Sequence, residues 1–214
     1  NFDKINKIFI DFDGVIVDSN NFKENAIESS IYKLFKKNEK SINAINYFNS
    51  NAGIARKKKL LLFFTDEEVS KIMKIYSQNC KKFFNSAYPS KGLEDFLKYI
   101  KRKHKHIKIY VLSGGEKEEI KLFLIKNNLL SFFEDILGSD KDKIEHLKTL
   151  NVSENDIFIG DSNTDLKASL ESNIRFLLFE EYKSTKSFPK KELINRNVFL
   201  KIRNCQTLMN KIMK

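Results

Sequence analysis

The feature that most constrains this chain is a short apolar run, Ile8, Phe9 and Ile10, followed at once by Asp11, Phe12, Asp13 and Gly14. Such a run, ended by polar residues, reads as a buried strand of a parallel sheet. Side chains alternate along a strand, so Asp11 and Asp13 can point the same way. Two carboxylates held close repel each other and lose hydration, which destabilises a fold unless something compensates. A divalent cation would compensate, and oxygen-only ligands at a strand end suit magnesium. Taken alone, the stretch can equally be a strand that ends in a solvated acidic turn.

Beyond Ser19 the period changes from strand to helix. Phe22, Ala26, Ile27, Ile31, Leu34 and Phe35 recur at helical spacing. A short helix is expected over Ile42 to Phe48, a loop over 49–53 and a further helix over Ile54 to Phe64. Thr65 and Glu68 have the spacing of a capping box. Behind them Val69, Ile72, Met73, Tyr76, Cys80, Phe83 and Phe84 lie on one helical face. After Tyr88 and Pro89 strands and helices alternate. Strands are expected at 107–112, within 132–137, at 157–159 and at 175–179, with helices over 92–103, 116–127, 142–150 and 166–171. A polar loop to Pro189, a weak strand near Val198 to Leu200 and a helix over the last ten residues follow. The expected fold class is α/β: a mostly parallel sheet covered on both faces, with an all-helical insertion.

Composition excludes several function classes. The chain has 214 residues and 41% hydrophobic content, enough for a real core. Its longest apolar run, Leu60 to Phe64, is far too short to cross a bilayer. The start lacks the apolar segment of a signal peptide, so a cytoplasmic protein without membrane partners is expected. Cys80 and Cys205 are too few and too far apart for a disulfide framework or a metal site. His104 and His106 sit in a lysine-rich turn and are expected to be solvated. The net charge is +11, yet arginine stands only at 56, 102, 175, 196 and 203 among 39 basic residues. Arginine is the better reader of bases, and it is not enriched. Lysine, asparagine, isoleucine and phenylalanine all have A/T-rich codons, which accounts for the lysine excess without a nucleic-acid partner.

The polar residues of interest fall at the C-terminal ends of three expected strands: Asp11 and Asp13, then Ser113, then Asp161 and Asp165. That edge is where open α/β sheets bind their ligands. Singly, Ser113 reads as a helix cap and Asp161 and Asp165 as charges at a helix N-terminus. Their coincidence on one edge points to one site.

At this point the chain resembles the haloacid dehalogenase-like superfamily, over nearly its whole length. Asp11-Phe12-Asp13-Gly14-Val15-Ile16-Val17-Asp18-Ser19 matches the first motif, Val111-Leu112-Ser113-Gly114 the second and Gly160-Asp161-Ser162-Asn163-Thr164-Asp165 the fourth. The third motif needs a lysine in the stretch Gly138 to Lys143. Its pattern selects Lys143, with Lys141 as the alternative, because Asp140 replaces the usual proline. The resemblance implies a Rossmann-like core of residues 1–18 and 88–214, with residues 19–87 as a helical cap of the β-phosphoglucomutase and phosphoglycolate phosphatase style. It implies an Mg²⁺-dependent phosphomonoester hydrolase acting on a small phosphorylated metabolite. Asp11 would be the nucleophile and Asp13 the acid and base, while Ser113, Gly114 and Lys143 would hold the phosphoryl group. Asp11, Asp13 through its backbone carbonyl, Asp161 and Asp165 would serve the metal. Within the cap, Arg56 and Lys59 are three apart and can share a helical face toward a substrate; a solvated lysine-rich helix start is the other reading. A phosphomutase or a non-catalytic binding protein on the same scaffold are the competing functions.

Overall fold

The computed structural model describes residues 2–51, 54–182 and 198–212. Six strands form one sheet: β1 (Lys7–Ile10), β2 (Lys108–Leu112), β3 (Asp135–Leu137), β4 (Ile157–Gly160), β5 (Arg175–Phe179) and β6 (Leu200–Ile202). Their order is β3-β2-β1-β4-β5-β6, and every neighbouring pair is parallel. β1 is therefore central, with Ile8 opposite Ile109 on one side and Ile157 on the other. A central parallel strand covered on both faces has no wet side, which is why Ile8, Phe9 and Ile10 are all apolar and all buried. The alternation sends Phe9, Tyr110, Leu112, Phe158 and Phe176 to one face, and Ile8, Ile10, Ile109, Val111 and Ile159 to the other.

Four helices lie between β1 and the next core element: α1 (Asn20–Phe35), α2 (Glu39–Ser50), α3 (Arg56–Leu60) and α4 (Asp66–Phe84). Among the described residues, 20–84 contains no strand. The remaining helices are α5 (Leu93–Lys103), α6 (Lys117–Lys126), α7 (Lys143–Thr149), α8 (Asn163–Glu171) and α9 (Cys205–Ile212). The insertion leaves and rejoins the core at one place. Val17 bridges Pro89, and Ser90 N–H donates to the Ile16 carbonyl at 2.8 Å. Phe84, at the end of α4, packs edge-on against Phe123 of α6 and tilts against Phe12. This aromatic contact joins the helical insertion to the sheet layer.

The expected helix over Ile54 to Phe64 is shorter, only Arg56–Leu60. The N–H groups of Phe63 and Phe64 both turn back to the Leu60 carbonyl at 3.0 Å. Phe64 is drawn inward just before Thr65 opens α4 with the expected capping box, while Leu62 faces solvent. α2 is longer than its apolar residues indicate, because the Asn38 side chain accepts from Ser41 N–H at 2.9 Å and starts the helix early. The weak last strand is displaced to Leu200–Ile202, where its pairing with Leu177 to Phe179 places it. The expected polar loop lies outside the described residues from 183 onward. His104 is not solvated; it is half-buried against Tyr99, whereas His106 is exposed. Cys80 and Cys205 are free and buried. No helix among the described residues is long and apolar enough to cross a membrane.

Candidate active site

The ends of β1, β2 and β4, with the loop after β3, meet in one cleft under α1 to α4. Asp11 continues β1 by one rung, its N–H donating to the Ile159 carbonyl at 2.9 Å. Its Oδ1 accepts from Phe12 N–H at 2.8 Å and lies 2.9 Å from Lys143 Nζ. The chain then folds back in a tight turn, with Gly14 N–H donating to the Val17 carbonyl at 2.9 Å. Gly14 has φ +78°, and a Cβ there would overlap Asp161 Oδ2. Only glycine fits this position.

Asp13 lies across the same cleft with different partners. Ser19, the N-cap residue of α1, makes no side-chain cap bond; its Oγ donates instead to Asp13 Oδ1 at 2.6 Å. Lys23, one turn into α1, pairs with Asp13 Oδ2. Burial pushes the Asp13 carboxyl up, but Lys23 and Ser19 more than reverse this and hold it below the usual carboxylate value. Asn20, the first residue of α1, donates through Nδ2 to Asp161 Oδ2 at 2.6 Å and to the Tyr182 carbonyl at 2.8 Å. These α1 contacts are not evident from the sequence. Asn20 and Lys23 are three apart on a helix just past the first motif, but in so lysine-rich a chain that spacing is a weak signal.

Ser113 ends β2 and is buried. Its N–H donates to the Leu137 carbonyl at 2.9 Å and its Oγ accepts from Gly115 N–H at 3.0 Å, which leaves the hydroxyl proton free to donate elsewhere. The loop after β3 settles which lysine enters the site. Asp142 and Glu145 form a capping box, so Lys143 becomes the first residue of α7 and turns inward, while Lys141 is exposed. His146 is buried too, its Nε2 at 2.9 Å from the Gly138 carbonyl, and braces this loop. Lys143 Nζ reaches both Asp11 Oδ1 and Asp165 Oδ1, the latter at 2.5 Å.

Asp161 follows β4, and Ser162 caps α8. Asp165 is the third residue of that helix, and its Oδ2 accepts from Ser162 N–H and Ser162 Oγ at 3.0 and 2.6 Å. Asp165 is thus both a capping-box member and the second partner of Lys143. Gly160 carries no side chain because a Cβ there would stand 2.5 Å from the Asp165 Cβ.

Carboxylate oxygens of Asp11, Asp161 and Asp165 lie within 4.8 Å of one another, all three residues buried. Among the described residues, Lys143 is the ammonium that pairs with this group. The acids are under-compensated: burial first, then their mutual repulsion, raises Asp11 and Asp161 above the carboxylate range despite Lys143. A cluster of oxygen donors that lacks positive charge fits a hard divalent cation.

Opposite these groups the cleft is walled by Phe48, Asn49, Arg56, Lys59 and Tyr76, and it encloses about 610 Å³ including its open mouth. Arg56 and Lys59 are buried there, while Lys57 and Lys58 of the same helix are exposed. Arg56 makes a two-pronged pair with Glu119 of α6 at 3.0 and 2.7 Å and stacks 4.8 Å from the Tyr76 ring.

A family model described as haloacid dehalogenase-like hydrolase matches residues 8–179. No curated protein sequence matches the chain. Several solved structures share its fold. A predicted phosphatase from Clostridium acetobutylicum is 20% identical with TM-score 0.72, covering 98% of each chain. A predicted phosphoglycolate phosphatase from Haemophilus somnus 129pt is 13% identical with TM-score 0.73, again covering 98% of each. CbbY from Rhodobacter sphaeroides, solved in complex with phosphate, is 13% identical with TM-score 0.72, covering 95% of this chain and 96% of that one. The family match spans β1 through β5 and includes every strand end that lines the cleft, so the chain belongs to the haloacid dehalogenase-like hydrolases.

Proposed function

We propose that this hydrolase is a phosphatase that cleaves a small phosphomonoester through Asp11. The observation that carries the reading is Asp11 at the end of the central strand, held by Lys143 at 2.9 Å and facing Ser113 and Asp13 across one cleft. A buried carboxylate with one oxygen fixed by an ammonium is an oriented nucleophile. Its other oxygen attacks phosphorus, the bond to the leaving oxygen breaks, and the phosphoryl group resides on Asp11. Ser113 Oγ–H, the Gly114 N–H and Lys143 Nζ hydrogen-bond the transferring oxygens, where charge develops. Asp165 keeps Lys143 in place from behind.

Asp13 manages protons. The negative charge of an entering substrate raises its affinity for a proton, which it gives to the leaving oxygen. Ionised again, and supported by Lys23 and Ser19, it takes a proton from the water that attacks phosphorus; the bond from phosphorus to the Asp11 oxygen breaks, the carboxylate is restored and inorganic phosphate leaves. Asp11, Asp161 and the Asp13 backbone carbonyl are the groups that would hold magnesium, and the cation would offset the negative charge that gathers when a phosphate enters. Residues 19–87 serve as the cap, which excludes water from the cleft and presents the wall that meets the leaving group.

The test is release of inorganic phosphate from p-nitrophenyl phosphate and from a panel of metabolite phosphates with magnesium present. Turnover that excess chelator abolishes is the expected result. Full activity in chelator would overturn the metal assignment, and transfer to a second sugar position without net phosphate release would identify a mutase instead.

A further inference from the structure

Helix α1 does not secure its own start. Ser19 is its N-cap residue, yet the Ser19 hydroxyl makes no cap bond and turns to Asp13. The first intrahelical bond runs from Lys23 N–H to the Ser19 carbonyl at 2.8 Å. The side chains of this turn reach into the sheet layer instead of back to their own backbone. Ser19 and Lys23 go to Asp13, and Asn20 goes to Asp161 and to the Tyr182 carbonyl. Ser19 and Lys23 already have a part in the proposed chemistry, through Asp13. Asn20 has none.

The Asn20 amide is closely fitted to its place. A side-chain amide nitrogen has two donors, and both are used: one on Asp161 Oδ2 at 2.6 Å, the other on the Tyr182 carbonyl at 2.8 Å. Turned over, the amide would aim its oxygen at a carboxylate and a carbonyl, so its acceptors fix its orientation. A Cβ on Gly14 would overlap both Asn20 Nδ2 and Asp161 Oδ2, so these groups are packed against the bare glycine. Tyr182 is steadied in turn by Phe179 at the end of β5, with 6.0 Å between ring centroids. One side chain of the helical insertion thus joins the segments that follow β4 and β5.

Resting on the phosphatase reading for its magnesium ligands, we infer that Asn20 is a positioning residue of the cation site. It fixes Asp161 Oδ2, leaves the other oxygen of that carboxylate to the cation, and makes divalent-cation affinity depend on the first turn of α1. A donor that orients a ligating carboxylate strengthens the ligand without touching the metal. Coupling of this kind is reciprocal, so a bound cation steadies the start of α1 in return. The insertion is thereby tied to the loaded state of the site through one amide.

The competing role for Asn20 is purely structural, a pin between α1 and the loop after β5. Asn20→Leu keeps the approximate shape and removes both donors. It should weaken Mn²⁺ binding, read from the EPR signal of the free ion, by about 10- to 100-fold, and Mg²⁺ as competitor should weaken in parallel. With p-nitrophenyl phosphate the defect should appear as a raised magnesium requirement, and saturating magnesium should restore most of kcat. A lowered urea midpoint with unchanged Mn²⁺ affinity would make Asn20 structural only and overturn the inference. A kcat loss that saturating magnesium does not restore would overturn it too. Hydrogen exchange on the wild-type protein gives a second reading that needs no variant. Mg²⁺ should slow exchange at Lys23 N–H by up to the same factor, and an unchanged rate overturns the coupling. If Mn²⁺ binds in an Asn20-dependent way while no ester turns over, the phosphatase reading falls and this inference stands. A wild-type protein that binds no Mn²⁺ overturns it.

Discussion

The Arg56–Glu119 pair links residues 63 positions apart, one on α3 of the insertion and one on α6 of the sheet layer. Its energy can be bounded. Arg56 is 4% and Glu119 16% exposed, so neither charge is well solvated. Unit charges about 4 Å apart attract by about 4 kcal/mol at an effective dielectric near 20, and desolvation removes part of that. Deleting one partner strands the other in a buried place, which costs about 3–5 kcal/mol for a fully buried pair. Glu119→Gln falls toward the low end, since the new amide oxygen can still accept one bond and Arg56 keeps its stack on Tyr76. Arg56→Met leaves the Glu119 carboxylate, 16% exposed, with only partial access to water, which also places this change toward the low end. We expect each single change to destabilise by about 3 kcal/mol and the double change by clearly less than the sum, with a coupling of about 2 kcal/mol. The assay is urea unfolding of the four proteins of the cycle. A coupling below about 0.5 kcal/mol would refute the reasoning, because it would mean that the two side chains do not meet in solution.

Asp11→Asn should abolish turnover, since an amide is a poor nucleophile; phosphate release at the wild-type rate would remove Asp11 from that role. Asp13→Asn should lose about 10²–10⁴-fold with alkyl phosphates and less with aryl phosphates, whose leaving groups need little protonation; equal losses in a rate-limiting first step would remove Asp13 as the acid. Gly14→Ala should reduce activity at least as severely as it reduces stability, because its methyl would displace Asp161 Oδ2; a wild-type urea midpoint with unchanged kcat would contradict this. Lys59 gives a pH dependence of stability with a defined sign. Its folded pKa is lowered from 10.5 to about 7, so between these values the unfolded chain binds a proton that the folded chain does not. Stability therefore rises with pH across that window: the penalty from this group is full below about 7 and gone above the unfolded value. The groups acting on it are Arg56, Lys23 and Asp13, and Lys59→Met should flatten the rise in urea midpoints measured across that window.

Much of the site is legible in the sequence because it is local. Asp11, Ser113 and Asp161 each follow a short strand directly, and parallel strands with similar ends bring such positions to one edge without further information. Lys143 is harder to read. The loop carries two lysines, and Asp140 stands where a proline would mark the register. The deciding signal is nonetheless present in the sequence: Asp142 and Glu145 form a capping box that makes Lys143 the first helical residue. The burial of Arg56 and Lys59, but not of Lys57 and Lys58, agrees with their three-residue spacing. The pairing of Arg56 is not legible, because the Glu119 that neutralises it lies on another element. The shortness of α3 is hidden for a related reason. Leu60 to Phe64 is apolar throughout, so it has no period to show that the helix stops and the chain turns.

The central place of β1 has a consequence for how the chain assembles as it is made. Ile8 pairs with Ile109 and Ile157, so the first strand precedes its nearest partner by about a hundred residues. Residues 20–84 intervene, and in them α1 packs against both α2 and α4, with Ile27, Ile31, Ile45, Ile72 and Tyr76 buried. On a ribosome the helical insertion can therefore organise first, while Ile8, Phe9 and Ile10 wait as an unpaired apolar strand. A nascent chain halted between β2 and β4 would hold β1 with one edge satisfied and the other open, which is a template for a second copy. The strand that carries Asp11 is thus made first and enclosed late, and it is the segment most in need of protection before Ile157 emerges.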